Sequence, residues 1–147
     1  MPHVTFPLQP AGALIQVFLA VTDARQKALA SAKQPIPMPV MAMLLIDTGA
    51  SNTVLDCKVI NALQLQPTGT TKAHTPSTGQ LPVLVNQYDV KLALPDFSGN
   101  RHLFLSSIPV MEADFSAQGI QGLLDRDVLS SCLLVYDGSG KQVAFAF

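Results

Sequence analysis

The 147-residue sequence has no tryptophan, two tyrosines and two cysteines. Charge is scarce as well. Asp, Glu, Lys and Arg make up 13% of the chain, against roughly 25% in an average soluble domain. The net charge is −1, with no acidic or basic block. A phosphate-binding face needs clustered Lys and Arg, so no nucleic-acid partner is expected. Cys57 and Cys132 lie far apart, without CxxC or His-rich spacing. No metal site is expected, and the two cysteines read as reduced thiols. Long apolar runs are missing too. The longest, Ala11 to Val21, is too short to span a bilayer, and no basic residue precedes it as a signal peptide requires. It reads as a strand, which points to a cytoplasmic protein with no membrane contact.

What the sequence does have is apolar surface. Hydrophobic residues are 48% of the chain, and mean hydropathy is positive. The length fits one domain, residues 1–147, with a core of its own. So little charge leaves more apolar surface than one small domain easily hides, and an oligomer interface would cover it.

The pattern along the chain is mostly β. "PHVTFPL" alternates and predicts an N-terminal strand. Ala13 to Val21 is rich in β-branched and aromatic residues and predicts a second. Thr22 to Pro37 is polar, then punctuated by proline, and predicts a long hairpin loop with at most a helical turn. Val40 to Ile46 is a buried strand. Asp56 to Leu63 has apolar residues at helical spacing with an acid first, which predicts a short helix with Asp56 as its N-terminal acid. "PTGTTKAHTPSTGQLP" holds two turns, near Gly69 and Gly79. Val83 to Leu94 and His102 to Val110 are strands, joined through a turn at "DFSGN". "FSAQGIQG" is a loop. "LLDRDVLSS" reads as a buried strand end and a short helix. Cys132 to Phe147 is a hairpin turning at Asp137 and Gly138.

The stretch Leu44 to Asp56, "LLIDTGASNTVLD", carries the chemistry. An apolar strand delivers Asp47 into a turn of small residues. Gly49 allows the tight turn and close approach of other groups. Thr48 brings a hydroxyl that can bond nearby main chain. A fixed carboxylate at a strand tip can meet a water or a substrate. Acid–base hydrolysis of this kind needs two carboxyl groups sharing one proton, because two adjacent negative charges do not both form. The chain has no second Asp-Thr-Gly or Asp-Ser-Gly. If Asp47 is catalytic, its partner comes from an identical chain across a two-fold axis.

This segment resembles the active-site segment of retropepsin-like aspartic proteases. "GLLDRDVL", Gly122 to Leu129, resembles that family's second signature. "AHTPSTG" lies where the family carries its flap. "NQYDVKLAL" and the C-terminal hairpin resemble the bacterial branch grouped as gag-polyprotein-type aspartyl proteases. The resemblance spans roughly residues 4–147. It implies an all-β retropepsin-like acid protease fold, a closed or partly open β-barrel with short helices, assembled as a homodimer. It also implies endopeptidase activity on a peptide or protein substrate at acidic pH, without metal, cofactor or covalent intermediate. Asp47 resembles the catalytic aspartate. Thr48 resembles the threonine that crosses the dimer axis, and Gly49 the glycine whose carbonyl meets the substrate; Ala50 and Ser51 complete the loop. His74, Thr75, Pro76, Ser77, Thr78 and Gly79 match the flap and substrate-binding tip. Leu123, Leu124, Asp125, Arg126 and Asp127 match the second signature.

Two positions depart from the family. Ser51 stands where many retroviral enzymes have an acid that pairs with the arginine, so Arg126 needs another partner. Asp125 stands where the family has glycine. Forcing a side chain there predicts backbone strain and an added negative charge, which would weaken catalysis or dimerisation. A rotated loop, with Asp125 in solvent or paired to Arg126, is the other possibility. Asp125 is also what favours an alternative function, a weakly active or non-catalytic dimerisation or peptide-binding module. The remaining residues have plainer readings. His3, His74 and His102 are scattered and form no triad. Tyr88 and Tyr136 suit strand packing. Phe145 and Phe147, alternating with Ala144 and Ala146, suit a half-buried strand at a dimer interface. With them the terminal segments Pro2–Phe6 and Val143–Phe147 are expected to build part of that interface.

Overall fold

The computed structural model describes residues 2–74, 81–95 and 102–147. Along the chain run β1 (His3–Pro7), β2 (Leu14–Ala20), α1 (Asp23–Ser31), β3 (Val40–Ile46), β4 (Val54–Asp56), α2 (Cys57–Ala62) and β5 (Gly69–Ala73). They are followed by β6 (Val83–Pro95), β7 (His102–Ala113), β8 (Gly122–Leu124), α3 (Arg126–Leu129), β9 (Leu133–Asp137) and β10 (Gln142–Ala146).

Seven strands form one sheet in the order β2-β3-β8-β4-β7-β6-β5, and β2 also pairs with β6. That extra pairing, Phe18 with Ala93 and Leu19 with Leu92, closes β2, β3, β8, β4, β7 and β6 into a ring. The expected barrel is therefore closed, with β5 appended to β6. Alternation on the strands fills it. Ile15, Val17 and Leu19 of β2, Ala42 and Leu44 of β3, and Val90, Leu92 and Leu94 of β6 are buried in one cluster with Leu55, Val110 and Leu124. Burial of such side chains contributes about 1.5–3 kcal/mol each.

A second sheet has the order β1-β10-β9. Phe145 of its middle strand is fully buried and meets Phe147 with ring centroids 6.5 Å apart. The terminal strands exist as expected, but they pair with each other inside one chain. β10 has both edges filled, by β1 and β9.

Thr22 to Pro37 is not simply a loop. Thr22 accepts a hydrogen bond from the Arg25 N–H at 3.3 Å and starts the nine-residue α1. Asp23 in the first turn suits the helix dipole, and Lys91 of β6 binds it at 2.6 Å. Ala, Gln, Lys and Leu are good helix formers, and local capping wins although only Leu29 is buried. Gly69 begins β5, opposite Gln87, rather than making a turn. β4 has three residues and was not expected. β7 continues to Ala113 because Met111, Glu112 and Ala113 pair with β4. The turns near Gly79 and at "DFSGN" lie outside the described residues.

Asp56 caps α2, accepting from the Lys58 N–H at 2.8 Å and, from a distant loop, the Phe115 N–H at 2.8 Å. Asp137 organises the last hairpin through the Gly140 N–H at 2.7 Å and the Ser139 hydroxyl at 2.9 Å. Tyr88 packs in the core and donates to Glu112 at 2.9 Å, whereas Tyr136 is exposed. Both cysteines are free thiols.

Candidate active site

β8 is inserted between β3 and β4, the strands on either side of the loop 47–53. It runs parallel to β3, with Leu45 beside Leu123 and Ile46 beside Leu124. It runs antiparallel to β4, with Val54 beside Leu123. Gly122 makes that insertion possible. Its φ is +153°, and a Cβ there would run into the Val54 carbonyl oxygen and lie 3.2 Å from Leu55 Cα. Leu123 and Leu124 thus serve as strand, and the polar residues after them emerge within the span of the Asp47 loop.

Asp47 is held at the end of β3. Its N–H donates to the Leu124 carbonyl at 2.9 Å, and one carboxylate oxygen accepts from the Gly49 N–H at 2.7 Å. A Cβ on Gly49 would stand 3.0 Å from that oxygen, so glycine suits the contact. Asp47 is half-buried, while Thr48, Gly49 and Ser51 are exposed. The carboxylate is therefore fixed yet reachable.

Arg126 spans the loop from the other side. Its Nε donates to the Ala50 carbonyl at 2.6 Å and a terminal nitrogen donates to Ser51 Oγ at 3.0 Å. The arginine that lacked an acidic partner on paper thus uses Ser51 itself and a backbone carbonyl. Its planar fork fixes two points of the loop at once.

Asp127 and Thr53 form the inner brace. Thr53 donates to Asp127 through its N–H at 2.9 Å and its hydroxyl at 2.7 Å, and Asp127 also accepts from the Val128 N–H at 2.9 Å. Thr53 Oγ1 in turn accepts from the Asp125 N–H at 3.2 Å. Thr53 was not singled out from sequence. The one available signal was a hydroxyl residue between the loop and an apolar strand.

Asp125 corrects the expectation for this position. Its φ is −107° and its ψ is −174°, extended backbone open to any residue, so no glycine-only conformation is strained. It neither faces solvent nor pairs with Arg126. The side chain is fully buried, and among the described residues neither carboxylate oxygen has a well-formed hydrogen-bond partner. Desolvation chiefly, then the charges of Asp47 and Asp127, push its pKa up to about 7. The Ala50 backbone and Arg126 pull the other way, more weakly.

His74 follows β5 and is exposed. Thr75, Pro76, Ser77, Thr78 and Gly79 lie outside the described residues. The arms that lead to them, β5 and β6, pair antiparallel up to Ala73 and Val83. Among the described residues, Asp56, Cys57 and Asp114 carry potential ligand atoms within 4.8 Å of one another. Asp56 and Asp114 already accept backbone N–H groups there.

No family model and no curated protein matches the chain. Solved structures do. A retropepsin-like aspartic protease from Rickettsia conorii superposes with a TM-score of 0.58 at 11% identity, over 99% of this chain and 90% of that one. The EIAV protease complexed with the inhibitor HBY-793 is similar over 62% of this chain and 76% of that one, at 20% identity and a TM-score of 0.38. With its closed ring of six strands and its few short helices, the chain has the retropepsin-like aspartic protease fold.

Proposed function

We propose that the protein is an aspartic endopeptidase that works as a homodimer, with Asp47 supplied by each of two chains. The observation that carries this reading is the single clamped Asp-Thr-Gly loop, with Asp47 held between the Gly49 N–H and β8 on a retropepsin-like fold. One chain supplies half of the required pair. The exposed apolar residues Leu133 and Val135 of β9 and the low charge of the chain suit a second copy.

In this reading an extended peptide adds its backbone to the β5–β6 arms. A water lies between the two Asp47 carboxyl groups. One carboxylate takes a proton from the water, whose oxygen attacks the scissile carbonyl carbon, while the other carboxyl gives its proton to the carbonyl oxygen. The tetrahedral diol then collapses. The carboxyl that took the water's proton gives it to the amide nitrogen, a diol hydroxyl returns a proton to the other carboxylate, the C–N bond breaks and two peptides leave. Thr48 would tie the two loops together across the axis.

The test is cleavage of a peptide mixture at acidic to neutral pH by wild type and Asp47→Asn, with sedimentation under the same conditions. The expected result is loss of cleavage by roughly a thousandfold in the variant, and activity that tracks the dimer fraction. Cleavage unchanged by Asp47→Asn, or full activity from a monomer, rejects the proposal. A folded dimer that cleaves nothing favours the binding-module alternative.

A further inference from the structure

The in-register pairing of β3 and β8 has a second product. Beyond Ile46 and Leu124, the next residue on each strand is an aspartate, Asp47 on one and Asp125 on the other. A single chain therefore sets two carboxyl groups at the ends of two neighbouring parallel strands. Their surroundings differ. Asp47 is half-buried and accepts a hydrogen bond from the Gly49 N–H. Asp125 is sealed, with no well-formed hydrogen bond to either carboxyl oxygen among the described residues.

The backbone of Asp125 is firmly placed. Its N–H meets Thr53 Oγ1, and its carbonyl accepts from the Val128 and Leu129 N–H groups at 3.0 Å each. The side chain cannot leave without disturbing these bonds. The charged groups around it are Asp47 from the loop after β3 and Asp127 and Arg126 from α3. Arg126 is turned to Ala50 and Ser51, and Asp127 to Thr53. A carboxylate in such a place has lost its water, gained only a weak pull from the Ala50 backbone and met two like charges, so the neutral acid is the favoured form.

We propose that Asp125 is the proton-holding residue of the Asp47 site, neutral through the acid range, and that its ionisation marks the pH at which each chain acquires a second negative charge beside Asp47. Its effect on cleavage rests on the endopeptidase reading; the proton itself does not. Loss of that proton places a like charge beside Asp47, which opposes further ionisation of the Asp47 pair and holds its shared proton to higher pH. Asp125, acting through Asp47, then carries the upper limb of the pH–activity profile to higher pH, which makes it a positioning residue. Burial, helped by its acidic neighbours, sets the midpoint at about 7.

The test is a carboxyl-carbon NMR titration of the full chain with labelled aspartate, from about pH 3 to about pH 9. Wild type is expected to show an aspartate with a near-neutral midpoint. That signal should be missing from Asp125→Asn. In Asp47→Asn it should persist, with its midpoint lowered by roughly half a unit or more, because one neighbouring charge is gone. If every aspartate titrates below about pH 5, or the near-neutral signal survives in Asp125→Asn, the proposal is overturned. A midpoint unmoved in Asp47→Asn overturns the pairing. Should Asp125→Asn not fold, wild type and Asp47→Asn still decide. In the cleavage assay, Asp125→Asn should draw the upper limb down by roughly half a pH unit or more, whereas a purely structural Asp125 would lower activity equally at every pH. Absence of cleavage in wild type rejects the endopeptidase reading alone, and the NMR titration still decides on Asp125.

Discussion

Thr53 and Asp127 are joined twice, by the Thr53 N–H at 2.9 Å and the Thr53 hydroxyl at 2.7 Å, across 74 residues of sequence. This pair ties the end of the Asp47 loop to the start of α3. Thr53→Val keeps the shape and removes the hydroxyl. It leaves the Asp125 N–H without its acceptor and Asp127 with one donor fewer. The expected cost is about 2–3 kcal/mol, a fall in melting temperature of roughly 5–10 °C for a domain of this size. Thr53→Ser should recover most of it. A Thr53→Val variant that melts within about 2 °C of wild type would show the brace to be idle.

Arg126 contacts exposed groups, so its worth lies in position more than in stability. Arg126→Lys keeps the charge and loses the fork. Thermal stability should change by less than about 1 kcal/mol, while peptide cleavage falls about tenfold or more as the loop loses its two anchors. Equal losses in both would mean that the contact is merely structural.

The pH dependence of stability follows from Asp125. Its folded pKa lies above the value of 3.8 for the unfolded chain, at about 7. Its contribution is complete below about pH 4 and is lost as pH rises towards 7. The ceiling on that loss is on the order of 4 kcal/mol, and local relaxation and screening would bring it to about half. Asp23, Asp114 and Asp137 act in the opposite direction. Lys91, Ser116 and the Gly140 N–H respectively lower their pKa values, and their contributions disappear as pH falls below the ordinary carboxylate range. Melting temperature should therefore peak near about pH 4–5 and decline towards neutrality. Asp125→Asn should flatten the decline. A wild-type melting temperature that climbs between about pH 5 and 7 contradicts this account.

Two glycines offer a matched comparison. Gly119 has a φ of +67° in open space, whereas Gly122 has a φ of +153° against the Val54 carbonyl. Gly119→Ala should cost about 1 kcal/mol, for backbone conformation alone. Gly122→Ala should cost about 2–4 kcal/mol, because β8 must also move away from β4. Equal costs from chemical denaturation would mean that β8 is not wedged as described.

Much of this arrangement can be read from the residues. Val40 to Ile46 and Val83 to Leu94 announce themselves by β-branched content and alternation. The Asp47 turn announces itself by an acid among small residues. α1 is concealed because its face shows no apolar stripe, and Thr22 followed by Asp23 was the local clue. β4 is too short to have a period. Gly69 looks like a turn because glycine usually marks one, yet here it only opens a strand. At the site, Asp47, Arg126 and Asp127 are visible as motif. The role of Thr53 is not, since its partner is set by the insertion of β8 between β3 and β4. Nor is the burial of Asp125, since an aspartate beside an arginine ordinarily suggests an ion pair or solvent.

The pairing of β1 with β10 sets His3 opposite Ala146, and the Phe147 N–H reaches the Pro2 carbonyl at 3.1 Å. The first and last residues of the fold therefore leave it about one strand spacing apart, roughly 5 Å. Whatever sequence is joined at one end emerges beside whatever is joined at the other. The domain can be entered and left at a single point, so it can sit within a surface loop of a larger chain without either flank crossing the barrel. A short linker could also join its two ends, with new termini opened elsewhere on the surface.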